Sequence, residues 1–308
     1  MRQAENLVRR ADGWVFAHED GRRLAAIRIG ICALLALRLA IADYGGTVRH
    51  ATAFQPHFYM DVFEQMPSLE VATILQICGI VASLAAMVGL ALRVSVPLAV
   101  VCSLILDGMV NSVGRVIVGD ALLMLCMLVL LASGAAAGEA WSIRGRVHRA
   151  PKPAIVPRSA SIGTRYGWPI RTAMIACALA YFFAGVQKWR YSGLPWVTSD
   201  NLRWILDSQA HPDGLAQFIA DRPLLAHVFA GGALLLETTF PLVLFVPRLR
   251  WLFIPGLIAM HVGIRVALGL DYSAQWLTVL IVFVNWPVVV ARLRRTVSPA
   301  PAPREVHG

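Results

Sequence analysis

Apolar residues gather into runs of about 16 to 24, separated by polar stretches that hold most of the charge, and the alternation repeats from Leu24 to Ala291. Runs of this length, apolar on every side, predict membrane-spanning helices, because only a helix satisfies its own backbone within lipid. The predicted spans are Leu24–Ala42, Leu69–Leu92, Ser95–Val110, Val116–Ser133, Pro169–Trp189, Leu224–Val246, Trp251–Leu270 and Gln275–Ala291. The first, at 1.5 Å per residue, is about 28 Å long, close to the bilayer core. The fold class is therefore all-α: a polytopic membrane helical bundle of about eight transmembrane helices.

The polar segments divide the rest. Residues 1–23 form a basic arm with some amphipathic helix, and 292–308 a tail whose Ser-Pro-Ala-Pro repeat predicts disorder. The stretch from Gly134 to Trp168 is basic and punctuated by Pro151, Pro153 and Pro157, which predicts an irregular loop. Between the fifth and sixth spans, residues 190–223 carry Trp196 and Trp204, suited to a membrane interface, and Ser199-Asp200-Asn201 predict the start of a short interfacial helix. With both termini cytoplasmic, the inner segments hold about 18 Lys/Arg and the outer ones about 7. The chain is thus expected in the cell membrane as a multi-pass protein, with the lipid bilayer as its first partner.

Composition sharpens this picture. Hydrophobic residues make up 57% and charged residues 15%, against about 25% charged in soluble domains. The net charge of +10 is then a topology signal, and no nucleic-acid partner is implied. The five cysteines, Cys32, Cys78, Cys102, Cys126 and Cys177, all lie inside apolar runs and read as small buried hydrophobes. No thiol pair, HExxH motif, phosphate-binding glycine loop or nucleophile elbow occurs, and His50 and His57 lack metal-ligand patterning, so no metal is expected.

The informative residues are the ionisable ones inside the spans. A lysine within the hydrocarbon costs roughly 2.5 to 3.5 kcal/mol, and Lys188 sits in the last turn of the fifth span. Two readings of it stand: a snorkelling anchor beside Trp189 and Arg190, or a desolvated amine able to act as a neutral base. Tyr181, Ala184, Gly185 and Lys188 share one helix face, whose small residues let another helix approach. Arg38, Asp107, Asn111 and Arg265 fall toward the same outer half, with Glu237 and His261 deeper; Arg28 lies near the inner end, where it can snorkel. Unpaired charges there are expensive, so these groups are expected to pair or to line a wet cavity opening outward.

The runs YFFAGVQKW, ETTFPLVLFVPRLRW and AMHVGIRVALGL, with RIGICALLALRLA in the first span and GEAWSIRG after the fourth, resemble the HTTM family over about residues 20 to 290. Its best-known members are the vitamin K-dependent γ-carboxylases of animals. The resemblance implies that Lys188 is the base that activates a reduced quinone, vitamin K hydroquinone or menaquinol. Oxygen then converts the quinol to a stronger base, which takes a glutamate γ-proton; carbon dioxide adds to the carbanion while the quinone becomes an epoxide. Lys188 and His261 are the candidate catalytic residues, and Tyr181, Arg38, Asp107, Asn111, Glu237 and Arg265 the candidate pocket residues. The animal enzymes carry a functional histidine where this chain reads Asn-Ser-Val-Gly at 111–114, and a large lumenal domain after the membrane region. A non-enzymatic factor for maturation or export of a secreted peptide, working with that peptide or a partner membrane protein, therefore stands beside the enzyme reading. A small-solute transporter is a third, for which no inverted repeat is visible.

Overall fold

The computed structural model describes residues 2–56, 58–113, 120–134, 140–142, 162–209 and 214–297. The basic 143–161 stretch, the first residues of the fourth predicted span, His57, His211 and the tail from 298 lie outside them.

Among the described residues the regular structure is helical except for a two-residue antiparallel pairing, β1 (Glu19–Asp20) with β2 (Ile162–Gly163). An amphipathic α1 (Arg2–Val15) leads to α2 (Gly21–Ile41), which starts where Asp20 accepts a hydrogen bond from Arg22 N at 2.8 Å. A short α3 (Tyr44–Val48) follows, then α4 (Leu69–Met87), capped by Ser68, and α5 (Leu92–Asn111). Next come α6 (Ala121–Ser133) and α7 (Thr164–Tyr191), which begins five residues before Pro169 and at 28 residues is about 42 Å long. The segment beyond it folds as three short helices, α8 (Pro195–Thr198), α9 (Asn201–Gln209) and α10 (Leu215–Ala220); α9 occupies the place of the expected interfacial helix.

α11 (Pro223–Thr239) stops at Phe240-Pro241, where proline supplies no N–H, and α12 (Leu242–Phe245) continues after the break. α13 (Arg250–Leu268) ends on Gly269, whose φ of +68° allows its N–H to reach Arg265 O. α14 (Ser273–Phe283) meets α15 (Trp286–Val297) across a 75° bend.

Among the described residues, five helices are long and apolar enough to cross a membrane: α2, α4, α5, α7, and α13 with the turn before it. The bent pair α14–α15 makes a sixth if it counts as one span, while α6 and α11, with 13 and 17 residues, are short. Every predicted span thus corresponds to a helix among the described residues, but two are broken, Leu224–Val246 at Pro241 and Gln275–Ala291 at the bend before Trp286. Hydropathy detects apolar composition; the proline breaks that divide it are a separate signal.

α2 lies at the centre against α4, α6, α7 and α14. Leu24, Ile31, Leu123, Ile170, Cys177 and Phe240 form part of the continuous core. Large apolar side chains such as Ile74, Val81, Val101 and Leu252 face outward, as a lipid-facing surface requires. A second, smaller core of Leu206, Ala216, Ile219 and Ala226, packed against Ala267 and Leu268, ties the α8–α10 segment to the ends of α11 and α13. The segment thus forms a helical cap over that end of the bundle.

Arg28 does not snorkel. It is fully buried, and its guanidinium donates to Trp141 O at 2.8 Å, Ala140 O at 3.4 Å and Met87 O at 3.5 Å. Unpaired carbonyls at a loop and a helix end give it a better solution than the interface. The five cysteines are free, and all but the half-buried Cys78 are buried.

Candidate functional site

α2, α7 and α13 run in the same direction. Arg23 and Arg250 stand at the starts of α2 and α13 and Arg171 two turns into α7, and near the ends stand Arg38, Lys188 and Arg265. The second end, under the helical cap, gathers the residues singled out from the sequence.

Lys188 Nζ bonds both oxygens of the Glu237 carboxylate. Glu237 was expected deeper than Lys188, yet the two sit at one level. The N-terminal part of α11 extends past the end of α7 and packs on α8, with Gly231 beside Val197, so Glu237 reaches Lys188 from near the far end of α11. Gly185 makes the approach: a Cβ there would stand 2.6 Å from Thr238 Cγ2 and 2.9 Å from Thr238 N. Tyr181 and Gly185 face protein as their spacing predicts, whereas Ala184, on the same stripe, is exposed. The carboxylate is the more enclosed partner, 8% exposed against 23% for the lysine side chain. The Trp196 ring of α8 lies 5.4 Å from Nζ, within cation–π range.

Two turns below on α7, Tyr181 Oη and His261 Nε2 share a hydrogen bond of 2.9 Å. The Tyr272 ring stands 5.5 Å from the His261 ring and Phe240 lies 5.1 Å from Tyr181. Two buried ring nitrogens here, His261 Nδ1 and Trp196 Nε1, have no hydrogen-bond partner among the described residues. If Tyr181 donates, Nδ1 of neutral His261 carries the proton; if Nε2 donates, Nδ1 is an acceptor. Either way a buried polar atom is left for a ligand to satisfy.

Arg38 pairs bidentately with Asp120, at 3.0 and 3.1 Å, and donates to Asp271 at 3.0 Å. Asp271 also receives Arg265 at 2.8 Å and the Ser273 N–H at 3.0 Å. Burial alone would raise the Asp271 carboxyl, but the bonds from Ser273 and Arg265 and the Arg38 charge hold it below the usual range. Residues 271–272 thus join the two polar groups, since the Tyr272 ring packs at a tilt against His261. A cavity of about 260 Å³ beside Arg38 is lined by Tyr44, Asp107, Asp120 and Asp271. A larger one of about 560 Å³ adds Asn111, His50 and Asp43. Burial, with the Asp107 and Asp120 charges, pushes the Tyr44 hydroxyl up.

The nominated residues therefore fall into two linked sets. Lys188, Glu237, Tyr181 and His261 make one, and Arg38, Asp107 and Asn111 line the cavities. Arg265 joins only through Asp271, its side chain 62% exposed. Neither cavity touches Lys188. Asp120 and Asp271 were not nominated; the signal for them was Arg38, an interior cation that needs a carboxylate.

A reduced quinone needs partners for two ring hydroxyls. The Lys188–Glu237 pair and the two unpartnered ring nitrogens supply donors and acceptors of that kind, and Trp196 supplies a flat aromatic face, so the residues present fit such a group. The family model described as the HTTM domain matches residues 16–267, a range that includes Lys188, Glu237, Tyr181 and His261. No curated protein and no solved structure matches the chain. With most of the 308 residues inside that match, and apolar helices throughout it, this membrane protein belongs to the HTTM-domain family.

Proposed function

We propose that this chain is a multi-pass enzyme of the cell membrane, quinol-dependent and carboxylase/epoxidase-like, with Lys188 as the base. The chain crosses the membrane about eight times, both termini are cytoplasmic, and the Lys188 end faces outward. The observation carrying this reading is the partly buried Lys188–Glu237 pair near His261, whose Nδ1 has no partner among the described residues.

A bound reduced quinone would supply ring hydroxyl protons and reducing electrons. To take a proton, Nζ must first be neutral, and Glu237 is the group that can hold the proton it gives up. In a low-dielectric setting the ion pair loses much of its advantage over the neutral amine–carboxylic acid pair, because two charges must otherwise be desolvated. Glu237 would thus hold the proton, Nζ would stand ready to accept one from a ring hydroxyl, and His261, oriented by Tyr181, would bond the second ring oxygen. Trp196 and the cap exclude water from the pair.

Membrane vesicles containing wild-type protein should oxidise a reduced quinone with oxygen and, given a glutamate peptide, fix labelled bicarbonate. Lys188→Ala and Glu237→Ala should each abolish both reactions. Unchanged turnover in Lys188→Ala rejects the reading.

A second reading, a factor that helps mature or export a secreted peptide, is favoured by the exposed Trp204 and Phe218 on the cap, 70% and 50% accessible. It predicts a stable complex with an exported peptide or partner membrane protein that Lys188→Ala leaves intact and Trp204→Ala weakens.

A further inference from the structure

At the end opposite Lys188, three arginines surround one carboxylate. Glu19 Oε1 accepts from Arg23 Nη1 at 3.1 Å and from Arg171 Nη2 at 2.6 Å. Arg250, at the start of α13, lies within charge-interaction range of Arg23, Arg171 and Glu19. Its Nε donates to Val243 O at 3.1 Å, and its two terminal nitrogens have no acceptor among the described residues. Arg23 is 9% exposed at its side chain; among the described residues it reaches only the Met174 sulfur besides Glu19, and its buried Nε has no partner there. Arg171 Nε is likewise buried and unpartnered, and its guanidinium stacks on Trp14 at 4.8 Å.

Three guanidiniums against one carboxylate leave two positive charges uncompensated. Like charges are held this close, partly out of water, only where something offsets their repulsion. The cluster stands where α2, α7 and α13 leave the apolar layer. The amphipathic α1 packs on α7 beside it, where Trp14 meets the Arg171 guanidinium. The Trp14 ring also meets Phe245, 6.4 Å between centroids. An amphipathic basic helix beside a cationic niche at the membrane rim is the arrangement that receives a lipid headgroup.

We propose that Arg23, Arg171 and Arg250 form a site for a phosphodiester anion, supplied by the headgroup of an anionic phospholipid in the adjoining leaflet. Half-buried Arg250 binds the phosphate through its two terminal nitrogens, and Arg171, 17% exposed at its side chain and holding Glu19 through Nη2, adds its Nη1. Arg23, locked on Glu19, contributes charge from behind. This site is independent of the Lys188 end.

The test uses the full chain in nanodiscs. Neutral phosphatidylcholine discs are compared with discs containing a minority of phosphatidylglycerol, and with neutral discs plus inorganic phosphate. Bound lipid is counted by native mass spectrometry and stability is read as Tm. Phosphatidylglycerol should bind and raise Tm, and inorganic phosphate in neutral discs should not. Arg171→Gln and Arg250→Gln should each weaken lipid binding about fivefold. Arg171→Lys, which keeps the charge and guards against a folding artefact, should bind more tightly than Arg171→Gln. Arg203→Gln, at the opposite end, should bind like wild type. Equal lipid binding by wild type and Arg171→Gln/Arg250→Gln overturns the site, and so does an equal loss in Arg203→Gln. A Tm rise from inorganic phosphate alone overturns the lipid source.

Discussion

Replacing Lys188 by methionine strands Glu237 in a setting where its side chain is 8% exposed. Breaking a buried pair costs about 3 to 5 kcal/mol when the remaining charge has no escape. Here the carboxylate can protonate, so the lower figure, about 3 kcal/mol, applies to Lys188→Met. Glu237→Gln is milder, about 1 kcal/mol, because the amide still accepts from Nζ and the lysine can turn toward its 23% exposed side. The double variant Lys188→Met/Glu237→Gln leaves no charge to strand and should lie closer to wild type than Lys188→Met. The assay is thermal unfolding of the four proteins in one detergent, as a double-mutant cycle. A double variant whose loss equals the sum of the single losses would refute the pairing.

Other outcomes follow from the same geometry. Gly185→Val forces α7 away from Thr238 of α11, which should cost about 1 to 3 kcal/mol in thermal unfolding and lower turnover by parting Lys188 from Glu237. Arg28→Lys should destabilise nearly as much as Arg28→Met, since an ammonium cannot span the carbonyls of Met87, Ala140 and Trp141; full rescue of Tm by lysine would contradict this. The Asp271 carboxyl is held below its unfolded value, so its contribution is fully present above the unfolded pKa and is lost as pH falls through the folded one. Wild-type Tm should therefore fall on acidification below about pH 4, and Asp271→Asn should flatten that slope.

Much of this architecture was legible because lipid imposes one rule on every helix. Each predicted span has a helix, and the cost of interior charge singled out Lys188, Glu237, His261 and Arg38 before any contact was known. What periodicity could not supply was the offset between antiparallel helices. Counting from Pro223 put Glu237 deeper than Lys188, but α11 starts beyond the end of α7, and that shift brings the two together. Arg28 was misjudged for a related reason. Its position near a helix end suggested escape to the interface, whereas the carbonyls of residues 140–141, distant in sequence, fold over it. Asp120 and Asp271 stand at span ends, where carboxylates are cheap, so neither drew attention without Arg38 between them.

The central claim is that Lys188 acts through a neutral amine. Lys188→Arg separates that role from its charge, because arginine can keep the ion pair with Glu237 but remains protonated at every accessible pH. The decisive measurement is reduced-quinone oxidation by Lys188→Arg in vesicles, alongside its Tm. A Tm near wild type with turnover lost is the predicted result; turnover at the wild-type rate would contradict it.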